Sequence, residues 1–442
     1  MTRWLVPFAA LALAVPSLAQ EGRPMPLSLA KAVEIASAPN GATRVQLASE
    51  LIRQTEARRR QALGALLPNV GGSYTFRSYT NNIAAIGIQF PALPGFTIPS
   101  LLGPVETNDL RASATQSLFD LSAIRRYQAS KSQVLAVRAD GDAARNQVKG
   151  TVAKAYLNAV RSEAALETAR ANVALAERIV KLARSQKDAG TGTGIEITRG
   201  EVTLASEKQR LIAATEDHTA AVLQLLRAMN LELDVVPELT DKLRYAPAEI
   251  PEPARAVAAA RELRPELKAQ AERERSARLN YDSAKWERLP SVNAFGDYGA
   301  LGKAGGLTLP TRSAGISVRI PLWDGGRTDA RRSESASQLR QEGIRTRDTA
   351  RQVELEIRLA VEALKSAENQ VLVSREGLAQ SERELAQAER RVAAGVASGL
   401  EITDAQARLA RARENEVSAV FRQQAARIDL GVAVGNIDMA LQ

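Results

Sequence analysis

The sequence predicts a mainly α-helical chain with a small β part, built as a tandem repeat. Two blocks of the 442-residue chain, 105–236 and 322–442, contain no proline. Proline in a helix interior costs about 3 kcal/mol, so blocks of this length without it indicate very long helices. The turn Ala189-Gly190 returns as Ala394-Gly395, 205 residues later. Short segments with alternating apolar residues precede the long helices in both repeats and predict strands.

The composition argues against an enzyme. The chain has no cysteine, which excludes disulfides, zinc-thiolate sites and thiol catalysis. Its one histidine, His218, rules out a metal site built from several histidines. The net charge of +9 is interspersed along the chain, whereas nucleic-acid-binding proteins cluster their basic residues. We therefore expect no catalytic residues, no cofactor, no metal and no nucleic-acid partner.

The first residues predict an export signal over 1–19. Arg3 precedes an apolar run over 5–15, which is too short to cross a bilayer. Ser17-Leu18-Ala19 has the small residues of a cleavage site, so the mature chain is expected to start at Gln20. A helix that is not cleaved is the alternative. No later segment has the 18 apolar residues of a membrane helix.

The elements follow in the same order in both repeats. The predicted first repeat spans residues 20–230. It has a helix over 41–66, strands over about 70–79 and 109–119, and an extended loop within 81–108. A hairpin over 122–230 follows, made of helices 122–188 and 196–230. A linker over 231–262 follows. The predicted second repeat spans 263–434 and has a helix over 264–288 and strands over about 291–300 and 311–322. Its hairpin over 326–434 is made of helices 326–393 and 400–434. A tail over 435–442 follows this hairpin.

A heptad pattern predicts that the long helices pack as coiled coils. In each repeat a large apolar residue recurs every seven positions, and a small residue stands three positions after most of them. Helices of this length would be roughly 100 Å long. The large positions are Val152, Ala159, Leu166, Val173 and Val180 in the first repeat, and Ile357, Leu364, Val371, Leu378, Leu385 and Val392 in the second.

The four strands have the length of tilted transmembrane β-strands. Four strands cannot close a barrel, and an open sheet edge is not tolerated in lipid. If these strands cross a membrane, several chains must share one barrel. The alternative is a pair of soluble hairpins that cap the helices, which would make the protein a periplasmic structural or adaptor coiled coil without a pore.

The repeat, with the short motifs at the ends of its strands and helices, resembles the TolC-like outer-membrane efflux protein family over nearly the whole mature chain. The resemblance rests on Leu67-Pro68 and Leu289-Pro290 before strands, Leu118-Phe119-Asp120 and Pro321-Leu322-Trp323-Asp324-Gly325-Gly326 after strands, Arg264-Pro265-Glu266-Leu267, and the Ala-Gly turns followed in the second repeat by Leu400-Glu401-Ile402-Thr403-Asp404-Ala405. The chain departs from the family at Arg391-Val392, where a tyrosine is common, and at Ala397, where some members have arginine.

The resemblance implies a homotrimer in the outer membrane of a Gram-negative bacterium, with a periplasmic coiled-coil tunnel and a shared 12-stranded transmembrane β-barrel in contact with lipid. It implies a passive exit duct of a tripartite efflux or type I secretion system. The implied partners are a periplasmic adaptor protein and, indirectly, an inner-membrane pump. The cargo and the class of pump are left open.

Two sets of site residues are expected at the hairpin turns. The resemblance assigns Glu401 and Asp404, with the repeat counterpart Glu196, to a cation-selective pore constriction. The alternative is that acidic residues simply favour a helix N-terminus. The candidate adaptor-docking turns consist of Ala189, Gly190, Thr191, Ala394, Gly395 and Val396. Their glycines also fit a left-handed helix cap, and this role is compatible with docking.

Overall fold

The computed structural model describes residues 25–87, 99–190, 192–394, 396–397 and 399–439. Residues 1–24, which include the predicted signal peptide, residues 88–98 of the predicted 81–108 loop, and the last three residues lie outside this part of the chain. The elements within it are β1 (Met25–Leu27), α1 (Leu29–Ser37), α2 (Thr43–Gly64), β2 (Asn69–Asn82), β3 (Leu101–Phe119), α3 (Leu121–Asp188), α4 (Gly194–Met229), β4 (Pro237–Leu239), α5 (Pro253–Leu263), α6 (Pro265–Trp286), β5 (Ser291–Lys303), β6 (Thr308–Arg319), α7 (Arg327–Ala393) and α8 (Gly399–Val434).

The two long helices are confirmed to within one residue at each end. Helix α3 has 68 residues and α7 has 67, so each is roughly 100 Å long. Asp120 caps α3, because its Oδ1 accepts a hydrogen bond from the Ala123 N–H at 2.9 Å. Helix α7 starts after two glycines with positive φ, and Asp324 Oδ2 accepts from the Thr328 N–H at 3.0 Å.

The helices form one layer in the order α4, α3, α8, α7. Helix α3 packs against both α4 and α8, and α8 packs against α7. The heptad positions are buried or half-buried in these contacts, with Val152, Ile357 and Val371 almost fully buried. The small positions between them allow the helix axes to approach closely. None of the helices in the described residues combines the length and apolar character needed to cross a membrane.

The four long strands form one antiparallel sheet in the order β2-β3-β5-β6. Its central pair, β3 with β5, joins the two repeats. The strands differ from the prediction at their ends. Residues 101–108 belong to β3, so the predicted loop is wrong there, because this segment pairs with the end of β2. Strand β6 ends at Arg319 rather than at 322, since Pro321 has no N–H to donate to a sheet.

A second, two-stranded sheet lies beside the middle of α3. Strands β1 and β4 pair in parallel, and Leu27 packs with Tyr156 in the largest apolar core. The Tyr156 phenol oxygen lies 2.8 Å from both the Leu27 carbonyl and Asp241 Oδ2. Burial, with Asp241 close by, raises the pKa of this phenol. The predicted linker over 231–262 therefore contains β4 and most of α5, and the prediction also omitted α1.

Candidate functional site: the hairpin tips and the sheet

Both helical hairpins turn at the same end of the helical layer. Helix α3 ends at Asp188, Gly190 adopts a left-handed φ of 72°, and α4 begins at Gly194. Thr193 and Glu196 form a capping box, in which the Thr193 N–H donates to Glu196 Oε2 at 3.1 Å. The turn between α7 and α8 is the equivalent feature of the second repeat.

Glu196 lies where the starts of α4 and α8 meet. A Cβ placed on Gly399, at the start of α8, would lie 3.4 Å from Glu196 Oε1. The carboxylate is therefore close to the N-termini of two helices, where the helix dipoles favour negative charge. The glycine at 399 leaves room for this side chain. A predicted pore residue of the first repeat is thus placed against the second hairpin.

The two predicted acidic residues of α8 have different surroundings. Glu401 Oε1 lies 3.3 Å from Arg391 Nε, in the last turn of α7. Asp404 is one turn further along α8 and is exposed. From the sequence alone Arg391 was only a departure from the family pattern, and this ion pair was not predicted. Opposite charges on either side of a short helical turn were the available signal.

An apolar cluster beneath the turns joins the two hairpins. Leu175 of α3 packs with Leu385 of α7 and Ile402 of α8. Val392, which follows Arg391, packs against the same cluster. The two hairpins are therefore packed together beneath their turns.

The predicted docking turns form the exposed end of this unit. Ala189, Gly190, Ala394 and Val396 are all exposed, and 68% of the Val396 surface is accessible. The remaining two predicted docking residues, Thr191 and Gly395, lie outside the described residues. A partner helix can reach the four exposed positions.

At the other end of the long helices, the four-stranded sheet has one mainly apolar and one mainly polar face. Directly paired residues project on the same side of a sheet, so the register sorts them. Tyr74, Leu110, Ala300 and Pro310 form one row of the apolar face. Ser73, Arg111, Gly299 and Thr311 form the adjacent row on the polar face. A sheet with two such faces suits a boundary between lipid and water.

A family model described as "Outer membrane efflux protein" matches residues 42–231 and 256–436, which cover both repeats. The chain belongs to the outer membrane efflux protein family. Outer membrane efflux protein BepC of Brucella suis biovar 1 (strain 1330) is 27% identical over 293 residues, or 63% of this chain. That match spans 62% of BepC, less than two thirds of its length.

Solved structures of outer-membrane channels share the fold. The Campylobacter jejuni CmeC outer membrane channel aligns with a TM-score of 0.79 at 17% identity, covering 99% of this chain and 94% of that chain. The open state of the Neisseria gonorrhoeae MtrE outer membrane channel aligns with a TM-score of 0.77 at 18% identity, covering 92% and 89%. The mainly helical fold with a four-stranded sheet is thereby confirmed. The roles of the tip carboxylates and of the exposed turns stay predictions.

Proposed function

We propose that three copies of this chain form the exit duct of a tripartite efflux or type I secretion system. Their sheets would join into one 12-stranded barrel in the outer membrane, and their helical layers would close into a periplasmic tunnel. The duct is passive, and an inner-membrane pump supplies the energy indirectly. The cargo leaves through the barrel, and its identity is not part of the proposal.

The observation that carries this proposal is the combination of two faces and two open edges in the sheet. Strands β2 and β6 are its edges, and each pairs on one side only within the described residues. Lipid does not tolerate an open edge, so the apolar face can contact lipid only if other copies pair with both edges. Pairing β6 of one copy with β2 of the next gives both edge strands a hydrogen-bonded neighbour, and the polar face then lines the lumen.

The tips give the duct its periplasmic partner and its gate. The exposed turns at Ala189-Gly190 and at Ala394 and Val396 are the proposed contact with a periplasmic adaptor protein. Glu401, Asp404 and Glu196 are the proposed cation-selective constriction. In a trimer, these residues would repeat three times around one axis, and a ring of carboxylates attracts cations and repels anions.

The competing function is a periplasmic coiled-coil protein without a pore. It accounts for the helical layer and for the exposed turns. It does not account for a sheet whose apolar face bears exposed Tyr74, Leu110 and Ile316. In water, such a face would promote aggregation.

Planar-bilayer recording of the detergent-purified protein tests the proposal. Wild type is compared with Glu401→Ala/Asp404→Ala, which should conduct more or lose cation selectivity. The matched control is Glu216→Ala/Asp217→Ala, which removes the same charge from an exposed part of α4, roughly 30 Å along the helix from the tip. Its conductance should equal that of wild type.

Three outcomes separate the hypotheses. Discrete channels that only the tip variant alters support both the duct and its constriction. Channels that neither variant alters keep the duct and reject the site residues. A protein that stays in solution without detergent and never inserts favours the coiled coil without a pore.

A further inference from the structure

A charged cluster lies in the middle of the polar face of the sheet, far from the tips. The Arg111 guanidinium on β3 forms an ion pair with Asp297 on β5, and its Nη2 lies 3.3 Å from an oxygen of Asp109. The same nitrogen lies 3.3 Å from Thr311 Oγ1 on β6. Asp297 also accepts a hydrogen bond from the Ser313 hydroxyl. The cluster therefore spans the three strands β3, β5 and β6.

The register of the sheet and one glycine bring these residues together. Arg111 is directly opposite Gly299, and Asp297 is one row away on the same face, opposite Ser113. A Cβ on Gly299 would lie 2.6 Å from the Leu110 carbonyl oxygen and 3.2 Å from Arg111 Cβ. Because position 299 has no side chain, the arginine can lie across it toward Asp297.

The cluster has one more carboxylate than is required to neutralise the Arg111 guanidinium. One carboxylate would neutralise Arg111, yet two contact it, which leaves a net charge of −1. All three side chains remain partly accessible, with 28% exposure for Arg111, 32% for Asp109 and 17% for Asp297. The excess charge is therefore presented to the solvent on the polar face.

A basic level lies nearer the strand turns on the same face. Arg77 and Lys303 flank Thr107 in one row, and both are exposed. This row is four residues along β3 from Arg111, or roughly 13 Å. Asp109 lies closer, two residues along β3 from this row or roughly 7 Å, which is within the Debye length of about 8 Å at physiological ionic strength. The basic row therefore reduces the field of Asp109, whereas Asp297, opposite Ser113 and six residues along the register from that row, lies beyond its reach.

We propose that the Asp109–Arg111–Asp297 cluster is a specificity-determining element of the duct, a cation-favouring level inside the barrel. The inference rests on the proposed function, because only a shared barrel turns the polar face into a lumen. Three copies would place three net negative charges at one height. This level is separate from the carboxylates at the tip and acts in series with them.

The K⁺/Cl⁻ permeability ratio, measured from reversal potentials in planar bilayers, tests the inference. Measurements are made on wild type and on the Glu401→Ala/Asp404→Ala background, in which the tip contributes less. Asp109→Asn should lower the ratio, because it removes the excess charge while Arg111 keeps Asp297. Arg111→Gln should raise it. Opposite shifts from two residues in contact are expected of an electrostatic role.

The salt concentration and two further variants sharpen the test. Near 0.01 M the Debye length is about 30 Å and the field extends across the lumen, whereas at 1 M it is about 3 Å and both shifts should vanish. Asp109→Glu keeps the charge and should give the same permeability ratio as the protein into which it is introduced. Glu106→Gln removes a charge from β3 on the opposite face and should also leave the ratio unchanged. If Arg111→Gln fails to assemble, Asp109→Asn compared with Asp109→Glu carries the test.

Open channels with an unchanged ratio in Asp109→Asn would overturn the inference and leave the duct intact, with the cluster acting only to hold the strands. A shift that persists at 1 M salt would also overturn it, because a change in pore shape would then be the cause. Absence of channels in every variant and in wild type would remove the duct itself, and the inference with it.

Discussion

The long helices α3 and α7 occupy equivalent places in the two repeats, yet their surroundings differ. Buried residues of α3 run from Ser122 to Ala183, almost its whole length. In α7 the first buried residue is Val353, about a third of the way along. Helix α3 packs against α2, α6, α4 and α8, whereas the early part of α7 packs mainly against α6. Duplication of a sequence therefore reproduced the secondary structure but not the packing.

The difference shows that α3 is the central support of the chain. Helix α3 contacts helices next to both sheets, namely α1 after β1, α2 before β2 and α6 before β5, and it also contacts α8 of the other hairpin. Helix α7 lies at the edge of the helical layer. Equivalent substitutions should therefore destabilise the first repeat more than the second. Three predictions test this comparison, ordered by the size of the change in stability that each expects.

The largest effect is expected at Tyr156 and its repeat counterpart Val361. Tyr156 is fully buried and supports β1, whereas Val361 lies in a smaller cluster with Ile357. Tyr156→Ala should cost about 3–5 kcal/mol, the range for removing a buried aromatic side chain. Val361→Ala should cost about 1–3 kcal/mol, because fewer buried groups are lost. Thermal unfolding of the purified protein, followed by circular dichroism, measures both.

The exposed Leu355 provides the control, and Leu355→Ala should shift the unfolding midpoint of an unassembled chain little. Equal losses at Tyr156 and Val361 would contradict the view of α3 as the central support. Tyr156→Phe should give an intermediate loss, since only the hydroxyl that contacts Leu27 and Asp241 is removed.

Where each hairpin ends, we expect the opposite order, with a larger loss of stability in the second repeat than in the first. Arg264 is buried, forms an ion pair with Glu356 and donates to the Val432 carbonyl at 3.3 Å, next to the left-handed Gly435. In the first repeat, the exposed Thr43 hydroxyl donates to Asn230 Oδ1 at 3.3 Å.

Arg264→Ala should therefore cost about 2–4 kcal/mol, toward the lower part of the range for breaking a buried pair, because Glu356 is 40% exposed. Thr43→Ala should cost less than about 1 kcal/mol. Denaturant titration of both variants checks this order, with Arg264→Lys as the variant that keeps the charge. A larger loss at Thr43 would show that the helix ends are held in the same way in both repeats.

The smallest effect is a dependence of stability on pH that both repeats share. The hydrogen bond from Arg138 lowers the pKa of Glu56 in the first repeat. The Thr328 hydroxyl lowers the pKa of Asp324 in the second. A lowered pKa stabilises the fold fully above the unfolded value of about 4 and loses this contribution as the pH falls through the folded value.

Glu56→Gln and Asp324→Asn should therefore each reduce the loss of thermal stability between about pH 5 and pH 3 relative to wild type. Unfolding midpoints across this range measure the effect. Glu249→Gln, in an exposed part of the chain, is the control and should follow wild type. A wild-type midpoint that does not change with pH would contradict the prediction.

The sequence alone predicted the elements with strong local signals. Helices α3 and α7 were located to within one residue, because their ends are marked, inside the two blocks without proline, by Asp120, Gly325-Gly326 and the Ala-Gly turns. The four long strands were also found, although their ends were misplaced where pairing with a neighbour extends a strand. The short elements β1, β4 and α1 were missed, since segments of this length have no periodicity to detect.

The two-repeat plan, the long helices and the four strands were therefore predictable from local sequence, because each is encoded within a few neighbouring residues. Long-range packing alone establishes that α3 supports both repeats, that Arg391 pairs with Glu401, and that Asp297 reaches Arg111. The physical reason is distance along the chain. Asp297 and Arg111 meet because the β3–β5 register places them one row apart, and that register depends on how the whole helical layer between the two strands packs.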